Sequence, residues 1–168
     1  MEYIIIDLLD FFSDMKDYTI MKIDKNFPIF NIGKDDVDIL CLDSKKTIKH
    51  IINILSKNYK QYNYKQHKFG TGHNQLDVYY LNKFIVKFDL FDNLATTYSS
   101  FDIPSDLTEK VIKNSVLKNG VKIPLIEDEL MIRYLEYHKW IKKRPDKIKH
   151  LNYIKSHPNV KYKIFKKK

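Results

Sequence analysis

Apolar positions recur along this chain of 168 residues with two different periods, and the switches between them mark the elements. Between residues 3 and 15, Ile4, Ile5, Leu8, Leu9, Phe12 and Met15 share one helical stripe. Tyr18 to Ile23 alternates and is rich in β-formers, which predicts a strand. A second extended piece follows from Phe27 to Ile32. The Gly33-Lys34 turn leads straight into an apolar strand from Asp36 to Leu42. Ser44 then predicts a helix N-cap, with Ile48, Ile51, Ile52 and Leu55 on the buried face of a helix to about Asn58.

The middle third reads as β-structure. Tyr59 to Phe69 is a polar, Tyr-rich alternating strand, and Gly70-Thr71-Gly72-His73-Asn74 is a turn. Gln75 to Leu81 and Phe84 to Phe91 form a hairpin about Asn82-Lys83. From Pro104 the spacing becomes helical. Ser105 is expected to cap a helix that stops at Asn119-Gly120. Pro124 opens another, with Glu127, Asp128 and Glu129 in the first turn, where the helix dipole favours acids. Leu130, Arg133, Tyr134, Tyr137 and Ile141 continue it. Pro145 starts a last helix through Ile148, Leu151 and Ile154. The expectation is one α+β domain: a mixed-sheet core over about residues 1–100, a helical part over about 101–158, and a basic tail from 159 to 168.

Composition sharpens this only in places. Hydrophobic residues at 43% and aromatics at 14% supply a core, which argues against disorder. The single cysteine, Cys41, excludes an internal disulfide and a multi-cysteine zinc site, and its apolar run predicts a buried, inert thiol. The first twelve residues carry Glu2, Asp7 and Asp10 and no basic leader, and no run reaches the length of a membrane span. A cytoplasmic protein without membrane contact is expected. The net charge of +9 suits a nucleic-acid partner, an attracted nucleoside triphosphate, or simple solubility.

The candidate chemistry is acidic. Asp36 and Asp38 lie two apart on a strand, so both carboxylates leave the same face, about 6.6 Å apart along the chain. Two metal ions roughly 3.5–4 Å apart can be held by such groups for in-line phosphoryl displacement. Mg²⁺ suits them, with Mn²⁺ as the substitute, because a hard cation accepts one or two carboxylates, water and substrate phosphates. A third acid is needed from a neighbouring strand. Asp89, within the apolar run Ile85 to Phe91, is the candidate, since a lone Asp there costs several kcal/mol unless paired or metal-bound. Asp77 competes for the role. Three such carboxylates are expected to repel one another when no metal is bound.

On these residues the chain resembles the nucleotidyltransferase superfamily, the polymerase-β-like fold, most of all its small aminoglycoside and minimal members. Ile32-Gly33-Lys34-Asp35-Asp36-Val37-Asp38-Ile39-Leu40 is similar to the signature strand, and Lys87-Phe88-Asp89-Leu90 to the third-carboxylate strand. Ile123-Pro124 through Leu130 and Arg144 through Leu151 resemble the helical tail. The resemblance implies that Asp36 and Asp38 hold two Mg²⁺ ions against a nucleoside triphosphate such as ATP. Asp89 would share the second metal and help deprotonate an acceptor hydroxyl. That hydroxyl would attack the α-phosphate, with pyrophosphate leaving. The acceptor stays open among small molecule, protein and RNA.

Such enzymes carry Gly-Ser well upstream of the acidic pair, and here Gly33 is the only glycine in the first 69 residues. Gly33 and Lys34 are the candidate phosphate contacts in its place, with Lys147 reaching from the last helix. Two other classes remain. One is a non-catalytic relative binding RNA or a protein through its basic surface. The other is a D-x-D glycosyltransferase, which wants a βαβ succession not seen before Asp36. His67 and His73 flank the glycine turn with nothing at ligand spacing to join them, and His150 reads as structural.

Overall fold

A computed structural model describes residues 6–22 and 36–168, and the stretch from Ile23 through Asp35 lies outside it. The expected extended piece Phe27–Ile32 and the proposed phosphate contacts Gly33 and Lys34 therefore fall outside the described residues. A short helix α1 (Leu8–Phe12) precedes strand β1 (Tyr18–Ile20). Strand β2 (Asp36–Cys41) feeds helix α2 (Ser44–Asn58), then the antiparallel run β3 (Tyr62–Lys68), β4 (His73–Tyr80) and β5 (Lys83–Phe91). The sheet order is β1-β2-β5-β4-β3, with β2 and β5 parallel and every other pair antiparallel. The α+β class with a mixed sheet is thus observed.

Alternation along β2 and β5 divides the two faces. Val37, Ile39 and Cys41 join Val86, Phe88 and Leu90 in a core that Ile48, Ile51 and Leu55 of α2 cover from one side. Leu40 faces the other way, into a second core with Leu94, Tyr98, Met131 and Leu135. That second face is apolar at the carboxyl end of β2 and charged at its start, where Asp36 and Asp38 stand. Cys41 is fully buried as expected, and burial pushes its thiol up to about 12.

Several local expectations are corrected. Asp43, not Ser44, caps α2, its carboxylate accepting from the Lys46 N–H at 2.9 Å. Ser44 instead donates its Oγ–H to Asp92 at 2.6 Å and accepts from Asn74 Nδ2 at 2.8 Å, tying the helix start to β4. The β4–β5 turn sits at Leu81-Asn82, one residue earlier than expected, both residues having positive φ. A four-residue helix α3 (Leu94–Thr97) follows β5.

The larger correction concerns the stretch after Pro104. Helix α4 spans only Leu107–Asn114 and begins after Asp106, so Ser105 is not its cap. Asn119-Gly120 does not end a helix. It turns a hairpin between β6 (Val116–Lys118) and β7 (Val121–Ile123), with φ of 51° and 80°. Both a helix stop and a two-residue hairpin demand left-handed backbone, and Asn-Gly serves either. The expected helices then follow as α5 (Ile126–Trp140), a 3₁₀ turn at Pro145–Lys147 and α6 (Ile148–Lys155). No helix among the described residues is long and apolar enough to cross a membrane.

Candidate functional site

The charged end of the sheet forms one wall of a cleft of about 710 Å³. In the parallel pairing Asp38 is the direct partner of Asp89, and Asp36 is the partner of Lys87. Neighbouring strands lie about 4.8 Å apart, so pairing alone brings Asp38 beside Asp89 on the face that Asp36 shares. All three line the cleft. Asp77 pairs with Lys87 across β4 and β5, one step away. Its carboxylate is engaged by His67 Nε2 at 3.1 Å and Gln75 Nε2 at 2.7 Å. Among the two candidates for the third acid, Asp89 is the one in the cleft.

The three acids do not face one another bare. Lys22 Nζ lies 2.8 Å from Asp38 Oδ2, and Lys87 Nζ lies 2.9 Å from Asp36 Oδ2 and 3.9 Å from Asp89 Oδ2. His73 donates from Nε2 to the other Asp89 oxygen, with its ring stacked on Phe91 at 4.4 Å. The expected repulsion is therefore replaced by alternating charge. Burial opposes charge on both lysines, yet the neighbouring carboxylates outweigh it and raise both above the ordinary value. Among the described residues no three His, Cys, Asp or Glu side chains are gathered as a ready metal-binding group.

Helices α5 and α6 and the 3₁₀ turn build the opposite wall. Arg133, Glu136, Lys139 and Trp140 come from α5, and Arg144, Lys147, Lys149 and His150 from the segment after it. Glu136 is the hub. Its Oε1 accepts from Lys147 at 2.6 Å and lies 4.0 Å from Lys22, while Oε2 accepts from the Tyr98 hydroxyl at 3.0 Å. Burial pushes this carboxyl up, but Lys22, Lys147 and Tyr98 prevail and hold it at about 2. Lys147 thus lies in the cleft wall as expected, though its ammonium is engaged by Glu136. Arg133 is clamped to Glu129 Oε1 through Nε at 2.9 Å and Nη2 at 2.7 Å, and its guanidinium stacks 3.8 Å over Tyr153.

Sequence reasoning missed Lys22, His73, Lys87, Glu136 and His150 as site residues. Lys87 sits at the i−2 position from Asp89, a spacing that puts both on one face, so it was within reach. The others carry no local signal.

His150 is 2% exposed, and its Nδ1 accepts from Arg133 Nη1 at 3.4 Å. Burial, then Lys22 and Arg133, hold the ring neutral by lowering it to about 3. In the unfolded chain it regains an ordinary value near 6.5. The unfolded state therefore binds a proton that the folded state refuses between those values. The stability this neutral ring contributes is complete above about pH 6.5 and is lost as pH falls towards 3. Thermal melts at constant ionic strength should show the midpoint falling as pH drops from 7 to 5. His150→Gln, which does not titrate, should flatten that slope, and an unchanged slope would place the proton uptake elsewhere.

No family model matches the chain, and no curated protein matches it. Two solved structures from Helicobacter pylori are similar in shape. One is described as a candidate nucleotidyltransferase (TM-score 0.45, 11% identity, covering 90% of this chain and 73% of its own). The other is JHP933 (TM-score 0.43, 11% identity, covering 90% and 71%). At that overlap the likeness carries no functional weight, and the chemistry rests on the side chains of the cleft.

Proposed function

We propose that the cleft binds a nucleoside triphosphate with Mg²⁺ and transfers its nucleoside monophosphate to an acceptor hydroxyl. The observation that carries this reading is the register of Asp38 with Asp89, with Asp36 on the same face, opposite a wall of lysines and arginines. An acidic face opposite a basic one suits a ligand that is itself a polyanion bound through cations.

The carboxylates are the right donor type for a hard dication, though among the described residues they stand paired with lysines and not as a ready three-ligand group. Three carboxylates supply oxygen ligands, and two amines already sit against them as stand-in cations, Lys22 on Asp38 and Lys87 on Asp36. Asp36, Asp38 and Asp89 would hold the metal, with Mn²⁺ able to replace Mg²⁺. When bound, the metal supplies charge neutralisation at the triphosphate and at the leaving pyrophosphate. Lys22 and Lys87, now paired with Asp38 and Asp36, would be the cations nearest to the phosphate oxygens were a metal to take those carboxylates.

Asp89 accepts the proton of the acceptor hydroxyl, whose oxygen forms a bond to the α-phosphorus as the bond to pyrophosphate breaks. His73, donating to Asp89, fixes that carboxylate's orientation. Arg144 and Lys149 add positive charge opposite the acids. Gly33 and Lys34, just before β2, are further phosphate contacts in this reading. Trp140 offers an aromatic surface for the base.

One observation favours a second reading. Each acid already has a cationic partner, so a non-catalytic protein could keep this arrangement as a structural network, with its basic surface left for RNA or a protein. Thermal shift with each of the four nucleoside triphosphates, in Mg²⁺ and in EDTA, separates the two. The transferase reading expects at least one triphosphate to raise the melting midpoint only with Mg²⁺. At a hundred times Kd the gain is about 2.7 kcal/mol. No shift with any of the four, or shifts indifferent to the metal, would favour the network reading.

A further inference from the structure

Among the described residues, one buried side-chain polar atom has no hydrogen-bond partner, His150 Nε2, on a residue that lines the cleft. A polar atom buried without a hydrogen bond carries its desolvation cost uncompensated, so its persistence needs a reason. Its buried polar neighbours are matched: Arg133 by Glu129, and Lys147 and the Tyr98 hydroxyl by Glu136. Because Arg133 donates to Nδ1, the hydrogen of the neutral ring resides on Nε2. The free atom is therefore a donor, held by α6 in the cleft wall.

The surroundings state what that donor wants. Lys22, Arg133 and Lys147 act on the ring from the positive side, and Glu136 alone among its main influences opposes them. A positive field around a buried, unpartnered N–H selects an anionic oxygen over a carbonyl or a base nitrogen. We propose that His150 Nε2–H donates to a phosphate oxygen of the cleft's ligand, as a binding residue and not as an acid or base. A neutral donor adds a hydrogen bond at this point without adding a further charge beside Lys22 and Arg133. The phosphate chemistry is common to a nucleotide's triphosphate tail and to free polyphosphate. The nucleotide version rests on the transferase reading, whereas the hydrogen bond itself does not.

The two amide substitutions separate the ring nitrogens. His150→Asn can keep an acceptor for Arg133 near the Nδ1 position while deleting the distal donor. His150→Gln extends an amide N–H to about the Nε2 position. Calorimetric titration of the full chain with sodium tripolyphosphate in EDTA should give similar affinity for wild type and His150→Gln. His150→Asn should bind about tenfold more weakly. In wild type, the ¹⁵N resonance of His150 Nε2 should move on adding tripolyphosphate, and this reading needs no variant to fold.

Equal affinity for His150→Asn overturns the proposal, as does absence of tripolyphosphate binding or a stationary Nε2 resonance. Repeating the titration with ATP and Mg²⁺ distinguishes the sources. A His150-dependent tripolyphosphate site without Mg²⁺-dependent nucleotide binding sinks the transferase reading and keeps this one. Mg²⁺-dependent nucleotide binding indifferent to His150→Asn does the reverse.

Discussion

Glu136→Ala is expected to lower the unfolding free energy by about 3–5 kcal/mol, the cost of leaving buried charges without their counterion. The carboxylate holds Lys147 at 2.6 Å, lies 4.0 Å from Lys22 and accepts from Tyr98 at 3.0 Å. Glu136 and Lys147 are 9% and 8% exposed, so water cannot readily replace the lost partner. The substitution would leave one ammonium unpaired, another resting on Asp38 alone, and a buried hydroxyl without its acceptor. Glu136→Gln keeps the shape and an acceptor oxygen, so it should lose less. The same group gives an acid limit. Its folded value near 2 lies below the ordinary carboxylate range. Its contribution is therefore complete above about pH 4.5 and disappears as pH falls towards 2. Urea unfolding at pH 7 measures the first effect. A loss under about 1 kcal/mol would mean that the network behaves as a solvated surface pair.

Asp38→Asn should abolish Mg²⁺-dependent nucleotide binding and reduce turnover by about three orders of magnitude or more, since a metal's charge stabilisation is worth several kcal/mol. The metal-free protein provides an opposing control. Mutual repulsion among Asp36, Asp38 and Asp89 would make the substitution stabilising, which is the expectation from sequence alone. With Lys22 2.8 Å from Asp38, removing the charge instead takes away that amine's nearest partner. The metal-free variant should therefore melt lower, by about 1–3 kcal/mol in unfolding free energy. Melting curves of both proteins, with and without Mg²⁺ and nucleotide, read the two effects together. A variant that retains the full Mg²⁺-dependent nucleotide shift would show that Asp38 is no metal ligand and would move the assignment to the non-catalytic reading.

The elements legible from sequence were those whose signal is local. The apolar run after Asp36 needs only period-two alternation to read as a strand, and Ile48, Ile51 and Leu55 need only helical spacing. The common face of Asp36 and Asp38 follows from the same alternation, before any neighbour is known. Asp89 was legible as an anomaly, an acid in an apolar strand. What sequence could not decide was Asp77 against Asp89, because register is a property of two strands. The parallel pairing of β2 with β5 put Asp89 beside Asp38, while Asp77 went to His67 and Gln75.

The hairpin at Asn119-Gly120 marks the same boundary. Its dipeptide specifies left-handed backbone and nothing more. The surrounding structure settles which use is made of it: Val121 is fully buried, the Lys122 carbonyl accepts from the Thr19 hydroxyl, and the Lys122 N–H donates to the Tyr18 hydroxyl oxygen. The basic residues of the cleft show it most clearly. Nothing nearby in sequence distinguishes Lys22 from the other lysines, or His150 from a surface histidine. Lys22 acquires its role when β1 pairs with β2 and α5 carries Glu136 towards it. His150 acquires its own when α6 packs on α5 and buries the ring beside Arg133. The sequence by itself determined the local periods and the acidic face they create. Only the tertiary structure decided which charges meet, because electrostatic partnership depends on distance through space and on burial, neither of which spacing along the chain contains.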